Sequence, residues 1–487
     1  MLDYGTIKIY CYNQNKTDWN DRSQNILTGS ARVSGLAAPC FCTEKMHRWR
    51  MLQAANGEGG RSMRGKSNFY KHLVRIFWLS LIVGTVGIWY YVDRSIPDRV
   101  SVTEHDQEEF TFSLPWRATV YSESEEVALG NKSNIPAEQI TINSREPFSM
   151  YAGKKGSYQL DLKLFGVIQF KNIQVDVVDT TRLIPCGSPV GIYLKSKGIM
   201  VIGTGRITGE NGMEMEPAVG KLKSGDYIEA FNGQKLGTKE ELAEAVSHFQ
   251  GENVTLTVRR NGAETQVKIK PVKGTDGSSK LGVWVRDDTQ GIGTVTYMDL
   301  NGKFGALGHG ISDSDTGELV ETSGGNLYDT QILGIEKGKI GTPGMLSGVI
   351  YYGPKSEIGT VTENTDYGIF GTVSQTFLKE HRTASMEAAR RQEVKTGPAL
   401  VRTSISGQVK DYSVEIQRID MTGNKKNKSL VIKITDPELL NLTGGIIQGT
   451  SGSPVIQNGK IIGAITHVFV QDPTRGYGIL IEDMLGH

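Results

Sequence analysis

Gly449-Thr450-Ser451-Gly452-Ser453-Pro454 stands between two apolar runs, Leu442-Thr-Gly-Gly-Ile-Ile-Gln448 upstream and Val455-Ile-Gln-Asn-Gly-Lys-Ile-Ile-Gly-Ala-Ile-Thr-His-Val-Phe469 downstream. Asn458-Gly459 is a two-residue hairpin signal between strand-like runs. The stretch therefore reads as a strand, a glycine-rich turn with an exposed serine, and a hairpin. Glycines beside a serine let the backbone turn tightly and point its N–H groups inward, the shape that holds a tetrahedral oxyanion next to a nucleophile. Here the donors would be the N–H groups of Gly449 and Ser451. Taken alone, the string also fits a Gly/Ser turn in an ordinary sheet, so the rest of the chain has to decide.

At 487 residues the chain has room for two or three domains. It carries 54 basic and 53 acidic residues, a net charge of +1, so its bulk electrostatics give no reason to expect nucleic acid as a partner. Its 59 glycines exceed the usual share of about 7%, which favours turn-rich β structure over helical bundles. Of four cysteines, Cys11, Cys40 and Cys42 lie near the start and only Cys186 remains, which excludes a disulfide framework in the remainder. The first three lack the paired C-x2-C spacing of a zinc site. Neither a metal nor a cofactor is expected.

Residues 1–71 read as an N-terminal tail, polar and without periodicity in its first 60 residues; Met63-Arg-Gly-Lys has the look of a second N-terminus that makes the residues before it dispensable. Residues 72–92 form an uncharged apart from Arg75, mostly apolar run ending in Trp89, Tyr90 and Tyr91, about the 20 residues that cross a bilayer. Lys66, Lys71 and Arg75 precede its uncharged part, Ile76 to Val92, so the positive-inside rule puts the N-terminus in the cytoplasm and the rest outside. A signal peptide would have a shorter apolar core and an A-x-A site; the expectation is an uncleaved anchor.

Residues 93–178 alternate as a β-rich spacer, for example Tyr158-Gln-Leu-Asp-Leu-Lys-Leu164. Residues 179–272 resemble a PDZ domain, carried by Leu222-x-x-Gly225-Asp226-x-Ile228, Asn232-Gly233 and a helix from Thr238 to about Phe249. Such domains add a peptide as an extra strand and hold its carboxylate on backbone N–H groups; Val190, Gly191 and Ile192 are expected to form that loop. Residues 280–487 return to strands and glycines, interrupted by a helix-like stretch from Leu378 to about Val394.

A serine nucleophile needs a base, usually histidine. Of eight histidines, His47, His72, His105 and His248 fall outside the last domain; His381 sits among charges and His487 ends the chain. His309, between Gly308 and Gly310, is in a tight turn able to project its ring into a cleft. Asp313, Asp315, Asp366, Asp436 and Asp472 are all available to orient it. Asp436 stands at a strand exit before Pro437, where it serves equally as a helix N-cap for Glu438-Leu-Leu. Alternation along Ile461–Phe469 puts Ile465, His467 and Phe469 on one face, where His467 would meet the substrate as part of a specificity pocket, or else sit in the core.

The turn at Ser451 is similar to the Gly-Asp-Ser-Gly-Gly-Pro loop of chymotrypsin-like serine proteases, with Thr450 for the Asp and Ser453 for a Gly. The membrane anchor, the PDZ segment, Phe304-Gly-Ala-Leu-Gly-His309, Thr435-Asp436-Pro437, Ser451-Gly-Ser-Pro454 and Thr466-His-Val-Phe-Val-Gln-Asp-Pro473, in this order, resemble the sporulation stage IV signalling peptidases of the SpoIVB type. The likeness spans roughly residues 70–485. It implies a mainly β protein with one transmembrane helix, a β-rich spacer, a PDZ domain and a chymotrypsin-like double β-barrel, with His309, Asp436 and Ser451 as triad. It further implies a forespore-membrane endopeptidase whose catalytic domain lies between the forespore and mother-cell membranes. There it would cleave a membrane-bound regulatory complex and so release an intramembrane protease. Its PDZ ligand would be a peptide, its own chain included, and self-cleavage is expected at Ala152–Ser157 or within Ser122–Ser133. The rival reading is a non-catalytic PDZ signalling adaptor, which has no chemical need for a complete serine, histidine and aspartate set.

Overall fold

The computed structural model describes residues 62–110, 117–131, 134–137, 139–142, 147–422 and 426–486. Cys11, Cys40, Cys42 and His487, with the readings attached to them, lie outside these. The chain separates into a unit ending at Tyr90 and a β-rich unit from Tyr91 onward.

Helix α1, Ser62–Ser95, contains a window from Lys71 to Asp93 of mean hydropathy 1.7. Its 23 residues reach about 35 Å at ~1.5 Å per residue, enough to cross a bilayer. Phe77, Leu79, Val83 and Val86 are all exposed, as a helix facing lipid on every side requires.

The spacer is a two-sheet sandwich. Its five-stranded sheet contains strands β1 (Arg99–Thr103), β2 (Gly156–Leu164) and β3 (Ile168–Val178), with β1 parallel to β3. A four-stranded sheet packs on it around one core. Strict alternation explains the arrangement: Leu160, Leu162, Ile173, Val175 and Val177 all point inward. Val127 and Leu129 are core residues, so the Ser122–Ser133 segment holds a buried strand. Within Ala152–Ser157, Ala152 is buried, whereas Lys154 to Ser157 are exposed and the turn is pinned by ion pairs of Lys154 with Glu126 and Lys155 with Asp179.

Two closed barrels follow. In the first, strand β4 (Arg182–Thr204) pairs with β5 (Val283–Met298), β5 with β6 (Lys303–Ala306), and the ring returns through Gly368–Val373, Glu357–Thr365 and Thr322–Tyr328 to β4. The second ring consists of Gly397–Thr403, Lys410–Ile419, β7 (Leu430–Ile434), β8 (Pro454–Gln457), β9 (Lys460–Phe469) and β10 (Asp472–Leu480). Between β7 and β8 lies helix α2, Pro437–Thr443. Each ring encloses its own apolar core, and Leu183, Tyr297, Phe370, Ala464 and Ile479 fill the seam between them. In place of the expected helix from Leu378 to Val394 stand a short α-helix, Gln375–Glu380, capped by Ser374, and a single 3-10 turn, Arg391–Glu393. Beyond the α-helix the chain is drawn into the barrels by Arg391, which is buried against Asp483 and Glu482.

The PDZ domain sits inside the first barrel rather than before it. β4 and β5 form a single long hairpin: their inner halves belong to the barrel and their outer halves, through Met200↔Arg286 and Thr204↔Val283, to the PDZ sheet. The boundary expected at residue 179 is therefore wrong in kind, because Ile184, Val190, Ile192 and Leu194 are barrel core while Ile199 and Val201 are PDZ core. Val190, Gly191 and Ile192 pair with β5 on one side, and Gly191 and Ile192 pair with Tyr328 and Leu327 on the other. A strand with both edges occupied cannot accept a peptide, so these residues do not form the ligand loop.

Within the PDZ fold, Asp226 is 1% exposed and bidentate to Arg260, at 2.7 and 2.6 Å, while also accepting the Lys223 N–H. Removing one partner of such a pair leaves a buried charge. Asp226→Ala is expected to cost about 3 kcal/mol. The loss should show as faster hydrogen exchange across residues 221–260 and not in the second barrel.

Candidate active site

β6 delivers the chain to Leu307 and Gly308, which both take left-handed conformations, φ +68° and +69°. The pair turns the backbone sharply at the seam and leaves His309 at its crest. A Cβ on Gly308 would sit 2.8 Å from Ile479 and 3.0 Å from Thr466, so the turn lies flat against the second barrel. The ring of His309 is tied at Nδ1, 2.8 Å from the Gly310 carbonyl. A carbonyl only accepts, so Nδ1 carries the proton and Nε2 keeps its lone pair. Burial holds this imidazole below its usual 6.5, with the Gly310 bond opposing. The next turn is fixed by Asn364, which accepts from the Ile311 N–H and donates to the Ile311 and Val320 carbonyls.

From the other barrel, α2 ends in a left-handed Gly444 and leads into the Ser451 turn, which β8 follows. Thr450 closes that turn by donating its hydroxyl to the Ile447 carbonyl, and Gly452 donates its N–H to Ile465. Gly452 has φ +97°, and a Cβ there would collide with the Thr294 carbonyl and the Leu307 backbone. Close approach thus requires glycine at this position, and it sets the serine turn directly against the histidine turn. Ser451 is partly exposed and its Oγ donates to the Thr466 carbonyl at 2.7 Å. Ser453 is 1% exposed and its Oγ is buried without a partner, which removes it as a rival nucleophile. Among the described residues, no acceptor takes the N–H of Gly449 or of Ser451.

Thr294, on β5, is a residue the sequence reading passed over. Its N–H donates to the Ser451 carbonyl at 3.1 Å, its Oγ1 to the Gly449 carbonyl at 2.8 Å, and its own carbonyl accepts from Leu307 at 3.1 Å. One buried residue therefore binds both carbonyls flanking the nucleophile turn and the turn that carries the histidine. Its only signal in the sequence was an unremarkable alternation, Gly293-Thr-Val-Thr-Tyr297.

His467 lies beside His309, ring centroids 4.8 Å apart. A register shift between Ile465 and His467 breaks the expected alternation, so Ile465 and Thr466 are both buried and the Thr466 carbonyl is free to meet Ser451. Burial, and then the nearby His309 and Lys428, push the His467 ring down to about 3.

None of the five carboxylates proposed from the sequence bonds to either histidine. Asp313 and Asp315 pair with Arg286, Asp366 with Lys426, and Asp472 closes its own turn through Thr474. Asp436 is the N-cap of α2: it accepts from Glu438 at 2.9 Å, from Leu439 at 3.2 Å and from Ser413 at 3.2 Å. Burial, the largest single influence, raises its carboxyl, but the amides of Ser413, Leu439 and Glu438 together outweigh it and hold the group below its ordinary value.

The cleft in the PDZ fold lies elsewhere than Val190–Ile192. A cleft of about 400 Å³ runs between helix Lys239–Ser247, through Leu242, Ala243 and Val246, and the segment Leu281–Val285. Gly282 turns its head with φ +65°, where a Cβ would press on the Gly205 carbonyl at 2.6 Å.

Two six-stranded barrels with a serine turn and a histidine turn meeting at their seam define a chymotrypsin-like serine peptidase. Residues 277–485 match the family described as SpoIVB peptidase S55, and residues 210–270 match the PDZ domain family. By these matches residues 277–485 are similar to a SpoIVB-type serine peptidase domain and residues 210–270 to a PDZ domain. No curated protein matches it. Among the described residues no cluster of side chains is suited to a metal.

Three outcomes are expected. Because His309 is held below 6.5, acylation of the serine should stay constant as pH falls through 6.5 and decline only at lower pH; an inflection at or above 6.5 in the rate profile contradicts this. Since both histidines are neutral when folded while the unfolded chain takes up protons below about 6.5, thermal stability should fall as pH drops from there. Gly452→Ala should abolish peptide cleavage while the PDZ domain stays folded by hydrogen exchange.

Proposed function

We propose that this chain is a membrane-anchored serine endopeptidase with Ser451 as nucleophile and His309 as general base. The observation that carries the reading is the meeting of the two turns at the barrel seam, with two undonated amides, Gly449 and Ser451, beside the serine. In the resting geometry the serine proton is given to the Thr466 carbonyl. Rotation about χ1 would move it to the free Nε2 of His309, which takes it as Oγ attacks the scissile carbonyl and returns it to the leaving amine. The Gly449 and Ser451 N–H groups would hold the oxyanion, single donors of this kind being worth about 3–4 kcal/mol.

In this proposal the orienting group is the Gly310 carbonyl, which fixes the histidine tautomer as an aspartate does elsewhere. Asp436 supports the turn indirectly, by capping the helix that leads into it. His467, largely buried against His309, remains the side chain proposed to line the pocket next to the cut. The PDZ groove at Leu281–Val285 would take an extended peptide by strand addition.

The biological role follows the family. The chain would act in endospore formation as a signal between compartments: anchored by α1 with its N-terminus in the forespore, it would cut a membrane-bound regulatory complex and free an intramembrane protease. Self-cleavage would fall in the exposed Ala152–Ser157 turn, tethering to one membrane raising the effective concentration.

Asp436 provides the test of the mechanism. Asparagine caps helices as well as aspartate, and alanine costs about 1 kcal/mol. Asp436→Asn should therefore keep kcat within a few-fold and Asp436→Ala should lower stability. A loss near 10⁴-fold in the Asn variant, the size expected when a triad aspartate is replaced, would restore Asp436 to the triad.

A further inference from the structure

We infer that Asn364 sets the tautomer of His309 through a single peptide plane: its side chain holds the Ile311 N–H, and the Gly310 carbonyl on the opposite edge of that peptide holds the ring. Asn364 is thus a positioning residue, and the inference rests on the reading of His309 as general base.

The Gly310 carbonyl and the Ile311 N–H belong to one planar trans peptide, in which the two groups point in opposite directions. Nδ1 of His309 lies 2.8 Å from the oxygen of that unit, and Oδ1 of Asn364 accepts from its N–H, also at 2.8 Å. Ring, peptide and side-chain amide therefore form one hydrogen-bonded row, in which each bond polarises the next. A neutral carbonyl has no net charge with which to hold an imidazole, so its grip depends on where the peptide plane points. Rotating that plane would remove the acceptor and leave the ring proton free to move to Nε2. A protonated Nε2 cannot take the proton of Ser451.

Asn364 is placed to prevent that rotation. Besides accepting the Ile311 N–H, its Nδ2 donates to the Ile311 carbonyl at 2.9 Å and to the Val320 carbonyl at 2.8 Å. An asparagine amide combines an acceptor and two donors in one plane, and exchanging its oxygen and nitrogen would lose all three contacts. The backbone beneath it is fixed by the pairs Asn364↔Ile369 and Thr365↔Gly368 of the first barrel. The same strand end meets the histidine turn directly, since a Cβ on Gly310 would collide with the Thr365 carbonyl and with Leu319. The charged and titratable groups nearby have other partners. His467 faces His309 from β9 with Lys428 close to it, Asp313 and Asp315 pair with Arg286, and Asp366 pairs with Lys426.

The test measures the rate of fluorophosphonate labelling of Ser451 in the full chain, for the unaltered protein, Asn364→Ala, His309→Ala and the double variant. Hydrogen exchange reports whether each is folded. Asn364→Ala is expected to slow labelling about 10²-fold, the size of effect that misplacing a catalytic group by ~1 Å produces. Where His309 is already absent, it should slow labelling no further, because residues that act as a unit are not additive. Labelling of Asn364→Ala at the unaltered rate, or an equal slowing in the His309→Ala background, overturns the inference and leaves His309 as the base. An unchanged rate in His309→Ala removes the base itself and the inference with it. Where exchange across the first barrel shows Asn364→Ala to be unfolded, Asn364→Asp decides in its place. Aspartate keeps an oxygen for the Ile311 N–H and adds negative charge to the row, which favours the imidazolium. The inflection of its labelling rate against pH should therefore move upward, and an inflection at the unaltered protein's pH contradicts the coupling.

Discussion

Thr294 holds the catalytic seam together. A double barrel places its nucleophile and its base on different barrels, so neither turn has a partner until the two halves dock. Here one buried threonine on β5 binds the carbonyls of Gly449 and Ser451 with its hydroxyl and N–H and receives Leu307 on its own carbonyl. Fixing those two carbonyls fixes the peptide planes around the serine, which leaves the Gly449 and Ser451 amides without an acceptor of their own. The glycine at 452 is a consequence of the same constraint, because the threonine carbonyl and the histidine turn together leave no room for a Cβ.

The same strand joins the two domains. β5 begins as a wall of the PDZ groove at Val283–Val285 and ends in the first barrel, with Thr294 between. Its partner β4 makes the reverse journey. A PDZ domain inserted into one hairpin of a barrel is connected to it by two paired strands rather than by a flexible linker. At the junction Arg286 reaches from β5 to Asp313 and Asp315, in the loop that follows His309. The cleft, the His309 turn and the Ser451 turn are thereby all held by one strand, β5.

Much of this was legible from local pattern. The Gly/Ser turn, the glycines around His309 and the alternating spacer strands each depend on residues close in sequence, and the structure contains them all. The PDZ ligand loop was misplaced because a strand's free edge is a tertiary property: Val190-Gly-Ile192 has the right composition, but both of its edges are taken by strands over 90 residues later in the chain. Asp436 shows the same limit in electrostatics. Its two readings, cap and triad member, use the same residue at the same strand exit, and the amides of Glu438, Leu439 and Ser413 decide for the cap in the resting structure. Thr294 and the Gly310 carbonyl left no trace in composition, since one is a common strand residue and the other is backbone. The bulge at Thr466 was likewise invisible to a strict period of two, which put the wrong side chains together along β9.

The central claim is that Ser451 is made nucleophilic by His309 across the barrel seam. It is tested most directly by treating the full-length protein with a fluorophosphonate and locating the adduct by mass spectrometry. The account predicts a single adduct on Ser451, formed several orders of magnitude more slowly in His309→Ala. An adduct on Ser453, or labelling of Ser451 at an unchanged rate without the histidine, would contradict it.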